Sequence, residues 1–337
     1  MTEQPETLTR EAEPVPVPAA EPALTPVRPE RRFDIVSRRN IFFLISLLVI
    51  IPGIFSMVTQ GFLLGIDFQG GTEFQLKGFQ DHPSLAAVQA AVDKQNVHGT
   101  VQQTGDGTFY IRTAPIAKAG DQQKFEDALA KTLGPFDAAN SQAQFVGPTI
   151  ANEIVTGALV AVVAASALIL LYLTFRFRKV QGGFRSGFQF GGSALLALLH
   201  DVFVLCGIFS ILGKVLQLRI GEIDSLFLTA ILTVVGFSVH DTIVVFDRIR
   251  ENLIAAPRLT FEQTVNLSIM QTAARSIITS FTVVLVLAAM LIAGGENLRG
   301  FILALLIGIV SGTYSSIFNA APLLVVWRRW QSGAAAR

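Results

Sequence analysis

Residues 223–245 read IDSLFLTAILTVVGFSVHDTIVV, an apolar run whose second half carries His240 and Asp241. As a helix, a run of this length extends about 35 Å, enough to cross a hydrocarbon core of roughly 30 Å. An ionisable side chain inside such a helix costs roughly 2.5–3.5 kcal/mol on insertion scales, so Asp241 requires a structural or functional reason. The stretch predicts a membrane helix that carries a polar site.

Further apolar stretches of about this length lie on both sides of it. They cover residues 41–58, 150–175, 188–212, 269–293 and 301–327. The chain has 337 residues, of which 51% are hydrophobic and only 15% charged. The charged fraction is well below that of a soluble domain. Its net charge of +1 argues against nucleic acid binding, and its single cysteine, Cys206, excludes a disulfide framework.

Cationic residues give the expected orientation. They follow the second, fourth and sixth apolar stretches at Arg176, Arg178, Lys179, Arg185, Arg248, Arg250, Arg258, Arg328 and Arg329. Cytoplasmic loops carry such an excess of Lys and Arg, so both termini are predicted in the cytoplasm. Residues 1–38, rich in proline, predict a disordered cytoplasmic tail, residues 39–60 a retained first transmembrane helix, and residues 330–337 a second cytoplasmic tail.

Residues 61–148 change character and predict a folded extracytoplasmic domain. The pattern indicates one long or two short strands over 62–79, a helix over 84–94 capped by Ser84, hairpin strands over 97–104 and 108–113, a capped helix over 121–133 and a last strand over 141–146. The order βαββαβ is that of a ferredoxin-like unit. The predicted fold is therefore a multi-pass α-helical membrane protein with six transmembrane helices, five of them within 149–329, and a small α/β ferredoxin-like outer domain.

Arg275 is the candidate partner of Asp241. It lies in the fifth stretch, on an antiparallel neighbour, at a similar predicted depth. The spacing of Gln271, Arg275, Thr279 and Thr282 makes a polar stripe on one helix face, which is expected to line an interior. Protonating a carboxylate that faces a guanidinium would free the arginine to move, so the pair predicts a proton relay. A static structural pair, or an Arg275 that snorkels to the cytoplasmic surface, remain open alternatives.

Two further groups of polar residues lie in apolar stretches. His200 and Asp201, in the third, fit either helix–helix hydrogen bonding or a share in proton traffic, and His240 is expected only to pack. The sixth stretch places small and polar residues on one side, where a neighbouring backbone can come close and the helix can slide: Gly308, Gly312, Ser315, Ser316 and Asn319.

Enzyme and cofactor motifs are not found in the sequence. Residues 65–72, GIDFQGGT, lack the lysine and following helix of a phosphate loop, and their glycines fit a bend in a strand instead. No metal cluster or Ser-His-Asp set occurs, so no cofactor or metal is expected. An aspartyl protease using Asp201 and Asp241 is disfavoured, because such a dyad shares a proton whereas Arg275 would hold Asp241 ionised.

Four segments together resemble the SecF family of protein-export membrane subunits, in the same order and over about residues 33–330. They are GIDFQGGT at 65–72, GFSVHDTIVVFDRIREN at 236–252, RSIITS at 275–280 and GTYSSIF at 312–318. In the first segment the signature positions are Gly65, Asp67, Gly70, Gly71 and Thr72. His240 departs from the family pattern, which often has Asn there.

The resemblance implies a translocase subunit related to resistance-nodulation-division transporters. Such a subunit works with SecD and uses the proton-motive force to help draw preproteins out of the SecYEG channel, without covalent catalysis. YajC and YidC are further candidate partners. Asp241 matches the family's acid and Arg275 its arginine, with His200, Asp201, His240 and Thr279 as accessory candidates. The rival hypotheses are a passive scaffold for translocon assembly and half of a small-molecule exporter.

Overall fold

The computed structural model describes residues 34–97, 99–180 and 182–335. The predicted N-terminal tail lies outside these residues up to Phe33, as does the end of the predicted C-terminal tail. In chain order the elements are α1 (Arg39–Thr59), α2 (Ile66–Gln69), β1 (Gly71–Leu76), α3 (Leu85–Asp93), β2 (Gly99–Gln103), β3 (Phe109–Thr113), α4 (Ala119–Leu133), β4 (Gln142–Val146), α5 (Pro148–Arg176), α6 (Phe184–Ser210), α7 (Ser225–Ala255), α8 (Phe261–Ala293), α9 (Glu296–Ser315) and α10 (Ala321–Ala335).

The predicted membrane spans are confirmed. Within the described residues, 6 helical segments are long and apolar enough to cross a membrane: α1, α5, α6, α7, α8 and the continuous segment of α9 and α10. A π-helical turn at Ser316–Ala320 joins α9 to α10. The fifth span begins at Phe261, earlier than its apolar stretch, because Thr260 and Gln263 form a capping box.

The outer domain has the predicted ferredoxin-like fold. Its four strands lie in the order β2-β3-β1-β4, and each neighbouring pair is antiparallel. Helices α3 and α4 cover one face, where Phe74, Leu76 and Ile111 are fully buried against Val88 and Leu129. The Ser84 hydroxyl accepts from the Ala87 N–H at 3.2 Å and caps α3 as predicted.

Two local predictions are wrong. In place of the one long or two short strands expected over 62–79, the one-turn helix α2 at residues 66–69 precedes the single strand β1. Gly70, with a φ of 71°, lets the chain turn from α2 into β1. The helix expected at 121–133 begins at Ala119, and its N-cap Lys118 makes no side-chain hydrogen bond. Asp121 therefore lies in the first turn, where it complements the helix dipole instead of capping.

The segment after the first span fastens the outer domain to the start of α7. The Ile223 N–H donates to the Leu63 carbonyl and the Gly65 N–H donates to the Ile223 carbonyl, both at 2.8 Å. The Asp67 carboxylate accepts from the Ser225 N–H at 2.9 Å. A Cβ on Gly65 would lie 3.3 Å from the Ile223 carbonyl oxygen, so a side chain there would press on this junction. The motif at 65–72 is thus hydrogen-bonded to the start of the helix that carries Asp241.

Inside the membrane region, α7 and α9 approach each other closely. Gly308 and Gly312 of α9 lie against Val234 and Ser238 of α7, and a Cβ on Gly312 would be 2.9 Å from the Ser238 Cβ. Small residues permit such close helix packing in membranes. The predicted small-residue face of the sixth span is therefore present and buried: its glycines pack on α7, Ser315 bonds to α6, and Asn319 donates to Ser46 of α1 at 2.9 Å.

Candidate functional site

Asp241 lies on α7 within the membrane-spanning region and is only 3% exposed. Ser276 and Ser280 of α8 are the hydroxyls that face its carboxylate. Within the described part of the chain, however, Asp241 Oδ2 and Ser276 Oγ have no hydrogen-bond partner of good geometry. The adjacent His240 is mostly exposed, with Nδ1 3.9 Å from Asp241 Oδ1. Asp241 is thus a buried carboxylate with unfilled hydrogen-bonding capacity.

Arg275 lies on α8, one residue before Ser276, and is exposed. Among the described residues it forms no ion pair with Asp241, although its charge acts on that carboxylate. The stripe of Gln271, Arg275, Thr279 and Thr282 lies on the surface of this chain, where Gln271 accepts from Arg248 and Asn252 of α7. The described residues therefore do not form the interior that the stripe is expected to line. The reason is that α8 packs on α7 and α9 through its other side, which carries the buried Ser276 and Ser280.

Asp201 is the most densely hydrogen-bonded carboxylate in the described membrane region. It is 1% exposed and accepts from the hydroxyls of Ser238 at 2.7 Å, Ser311 at 2.8 Å and Ser315 at 2.7 Å. His200 Nδ1 lies 3.1 Å from its Oδ1. Of the two interpretations left open for this residue, helix–helix hydrogen bonding is thus seen directly, because the donors come from α7 and α9.

A cluster of four charged residues connects the outer sheet to the loop between α6 and α7. Arg112 of β3 bonds to Glu73 of β1 at 2.7 Å and pairs with Glu222 of the loop, while Arg219 bonds to Glu73 at 3.0 Å. The Arg219 guanidinium also stacks 3.2 Å from the ring centroid of Tyr110. We call Glu73, Arg112, Arg219 and Glu222 the outer clamp.

Burial and charge act differently on the two carboxylates of the outer clamp. At Glu73, burial opposes ionisation, but the attraction of Arg219 and Arg112 outweighs it and holds the pKa below its ordinary value. At Glu222, burial dominates over the attraction of Arg112 and Arg219, and the pKa is raised. Burial also raises the pKa of Asp224, which caps α7 by accepting from the Phe227 N–H.

The outer clamp could not be predicted from the sequence. Its signals were weak: Glu73 and Arg112 are single charges on predicted strands, and Arg219 and Glu222 are three residues apart in a short loop. The hydroxyl partners of Asp201 were visible only as scattered serines. Pairings between residues more than a hundred positions apart, such as Arg112 with Glu222, depend on the tertiary fold and have no local pattern.

Among the described residues, six helices long and apolar enough to cross a membrane surround buried carboxylates, and a ferredoxin-like domain is joined to them by ion pairs. These features define a multi-pass membrane protein. The family model described as "Protein export membrane protein SecD/SecF, C-terminal" matches residues 124–330, and the one described as "SecD/SecF GG Motif" matches residues 55–77. The chain belongs to the SecD/SecF family of protein export membrane proteins, on the side of its SecF translocase subunits.

Individual relatives agree with this assignment. A protein translocase subunit SecF from Thermobaculum terrenum is 45% identical over 306 residues, which cover 87% of this chain and 93% of the relative. Its counterpart from Anaerolinea thermophila is 40% identical over 304 residues, 87% of this chain and 94% of the relative. The crystal structure of SecDF, a translocon-associated membrane protein from Thermus thermophilus, matches 89% of this chain with a TM-score of 0.76 and 31% identity. This chain spans 39% of that SecDF chain.

Proposed function

We propose that this chain works with SecD to convert the proton-motive force into assistance for preprotein export through SecYEG. Asp241 takes up and releases the proton, and Arg275 tunes its affinity. The outer domain, residues 61–148, lies on the extracytoplasmic side of the inner membrane, both termini are cytoplasmic, and no covalent chemistry is involved. YajC and YidC remain candidate partners of the same assembly.

The observation that carries the proposal is the state of Asp241. Its carboxylate lies within the membrane-spanning region with one oxygen unpartnered among the described residues, beside two serine hydroxyls of a neighbouring helix. A permanently charged group in that position is expensive, and binding a proton removes the charge. Intramembrane carboxylates of this kind mark proton relays in pumps and transporters. In Asp201, by contrast, three hydroxyls occupy the two oxygens, which disfavours the proton-sharing protease dyad.

Transmission to the outside follows from the contacts of α7. The helix that carries Asp241 begins at Ser225, whose N–H is held by Asp67, and the loop just before it carries Glu222 of the outer clamp. A shift of α7 would therefore be passed to the outer sheet through both a backbone junction and a charge cluster. This coupling is the physical basis for moving a domain that meets an emerging polypeptide.

The proton requirement can be tested in proteoliposomes that contain this chain, SecD and SecYEG. With a proton gradient acidic on the side of the outer domain, preprotein transport after the ATP-driven stage is expected to be faster than in vesicles without this chain. Adding a protonophore is expected to remove this advantage completely, with vesicles lacking this chain as the control. Stimulation that persists without the gradient would show a passive scaffold for translocon assembly instead.

The outward face of α8 supports SecD as the partner. It places Arg275, Thr279 and Thr282 on the surface of a membrane helix, where contact of a charged side chain with lipid tails is costly. Charged residues in membrane helices almost always face a bundle interior and pair there. The SecDF chain is much longer than this one, so a second membrane half is available in that relative to cover the face.

A cross-linking prediction follows from this assignment. Thr279→Cys is expected to cross-link to SecD in the assembled complex, because it lies on the polar stripe of α8. Leu168→Cys on α5 is the matched control: it is 66% exposed on an apolar helix and is expected to remain without a SecD adduct. Both variants carry Cys206→Ala, and the introduced cysteine is labelled with a maleimide-benzophenone, which inserts into C–H bonds of a neighbouring chain on irradiation. The measurement is the yield of SecD adduct by mass spectrometry. Adducts at position 168 but not at 279 would assign the interface to another face.

A further inference from the structure

Asp201 connects three helices through one side chain. It belongs to α6, while its hydroxyl donors belong to α7 (Ser238) and α9 (Ser311 and Ser315). All four of these side chains are buried. Because these three donors are neutral hydroxyls, loss of any one of them would leave the buried Asp201 carboxylate less well compensated.

A second set of contacts fixes the same pair of helices one turn away. The hydroxyls of Thr242 on α7 and Ser316 at the end of α9 are 2.9 Å apart. The Ser316 hydroxyl also donates to the Ser238 carbonyl at 3.1 Å. Gly312 brings the α9 backbone against Ser238 at the same level. Sliding α9 past α7 by one turn, about 5.4 Å, would break these bonds and leave the buried Asp201 carboxylate without its hydroxyl donors from α9.

The contact of α8 with this group is different. One hydroxyl pair, Ser280 with Thr313 at 2.5 Å, links it to α9 in this region. At the end of α7 that follows Asp241, Asn252 donates to Ser268 and Gln271 of α8, both at 2.9 Å, so α8 is fixed to α7 there. At the level of Asp241 itself, Asp241 Oδ2 and Ser276 Oγ have no partner among the described residues. Movement of α8 at this level therefore breaks the Ser280–Thr313 bond, whereas movement of α9 breaks its bonds to Asp201, Ser238 and Thr242.

We infer that Asp201 is a positioning residue that holds α6, α7 and α9 in one register as a single rigid body, and that the response to protonation of Asp241 occurs at the interface with α8. The inference rests on the proposed proton-driven function and deepens it. It also replaces the expectation that the small-residue face of the sixth span allows sliding: that face is locked by hydrogen bonds to Asp201 and Ser238.

Two disulfide locks test which interface moves. In a Cys206→Ala background, Thr242→Cys with Ser316→Cys joins α7 to α9, and Ser280→Cys with Thr313→Cys joins α8 to α9. The hydroxyl contacts at both pairs place the Cβ atoms near the separation that a disulfide requires. Oxidation after assembly avoids any effect on folding, and reduction provides the control in the same sample.

The expected result is asymmetric. Oxidising the 242–316 pair should leave most of the gradient-dependent stimulation intact, whereas oxidising the 280–313 pair should abolish it until reductant is added. Loss of stimulation in the 242–316 lock would overturn the rigid-body inference, as would full stimulation in the 280–313 lock. If the Cys206→Ala protein without introduced cysteines already gives no gradient-dependent stimulation, the proposed function is wrong, whichever interface moves.

The role of Asp201 can be tested without a transport assay. Disulfide cross-linking between α7 and α9 reports the register of the two helices. In the Cys206→Ala background, cysteines at 242 and 320 are expected not to cross-link while Asp201 is present, because Ala320 lies one turn after Ser316 in the π-helical turn. They should begin to cross-link in Asp201→Ala, because the register is then free to shift. If Asp201→Ala does not assemble, the Ser311→Ala, Ser315→Ala double variant replaces it, since it removes two of the donors and keeps the carboxylate. Unchanged cross-linking in the assembled variant would contradict the positioning role.

Discussion

Asp241→Asn is expected to leave the chain folded and bound to SecD, and to reduce gradient-dependent export stimulation to the level of vesicles that lack this chain. Asparagine has nearly the same shape and keeps a carbonyl oxygen toward Ser276 and Ser280, but it cannot bind and release a proton. It also carries no charge, so burying it should not destabilise the fold. Transport is measured in SecYEG proteoliposomes, and binding by co-purification with SecD.

Asp247→Asn is the matched control on the same helix. Asp247 lies six residues further along α7 and pairs with Arg176 at 3.0 Å in a partly exposed position. Loss of such a pair costs about 0–1 kcal/mol, and transport is expected to be retained. Equal loss of stimulation in both variants would mean that any change of charge on α7 is harmful. Normal stimulation in Asp241→Asn would end the relay role of that residue.

Glu73→Gln is expected to undock the outer domain from the α6–α7 loop. Glu73 is the carboxylate that bonds to both Arg112 and Arg219, so its neutralisation weakens two ion pairs at once. Removing one partner of a buried pair costs about 3 kcal/mol or more. Hydrogen exchange should accelerate at Ile223 and Gly65, whose N–H groups bond across the junction. Export stimulation should fall with it, because α7 would no longer be coupled to the outer sheet.

Glu222→Gln is expected to have the weaker effect, and pH explains why. Glu73 has a lowered pKa, so its contribution to docking is present above the ordinary value of 4.5 and is lost as pH falls through the lowered one. Glu222 has a raised pKa, so its ionisation opposes docking as pH rises through that value. As pH falls, Glu222 should therefore be protonated first, and the junction should stay closed. Hydrogen exchange at the Ile223 N–H should increase only at the lower pH at which Glu73 is protonated.

The control for this pair of variants is Asp121→Asn. Its ion pair with Lys124 is exposed on α4, away from the membrane region, and should not affect exchange at the junction. A larger effect of Glu222→Gln than of Glu73→Gln would contradict the assignment of Glu73 as the centre of the outer clamp.

The membrane helices and the outer fold could be predicted because their signals are local. An apolar run of about 20 residues can cross a bilayer as a helix, and the two predicted strands on either side of Gly105-Asp106-Gly107 specify a hairpin. The errors lie where tertiary contacts decide. Residues 66–69 form a helix instead of a strand because the chain must dock on Ile223 and Ser225.

The candidate site was predicted in part. The cost of a charge in the membrane pointed to Asp241 and Asp201 without any fold. Which face of α8 is buried depends on how three helices pack, and the periodicity of Gln271 and Arg275 could not show that this polar face lies outward. The hydroxyl partners of Asp201 come from helices that are distant in sequence, so its role as a connector appears only in three dimensions.

We expect Asp241 to bind a proton when the outer side is acidified, and infrared difference spectroscopy of the reconstituted complex measures this event. Lowering the outer pH produces C=O stretching bands from every carboxyl group that becomes protonated, Glu222 among them, and one component is predicted to be missing in Asp241→Asn and present in Asp247→Asn. A difference spectrum of Asp241→Asn that retains every component would show that Asp241 does not take up the proton.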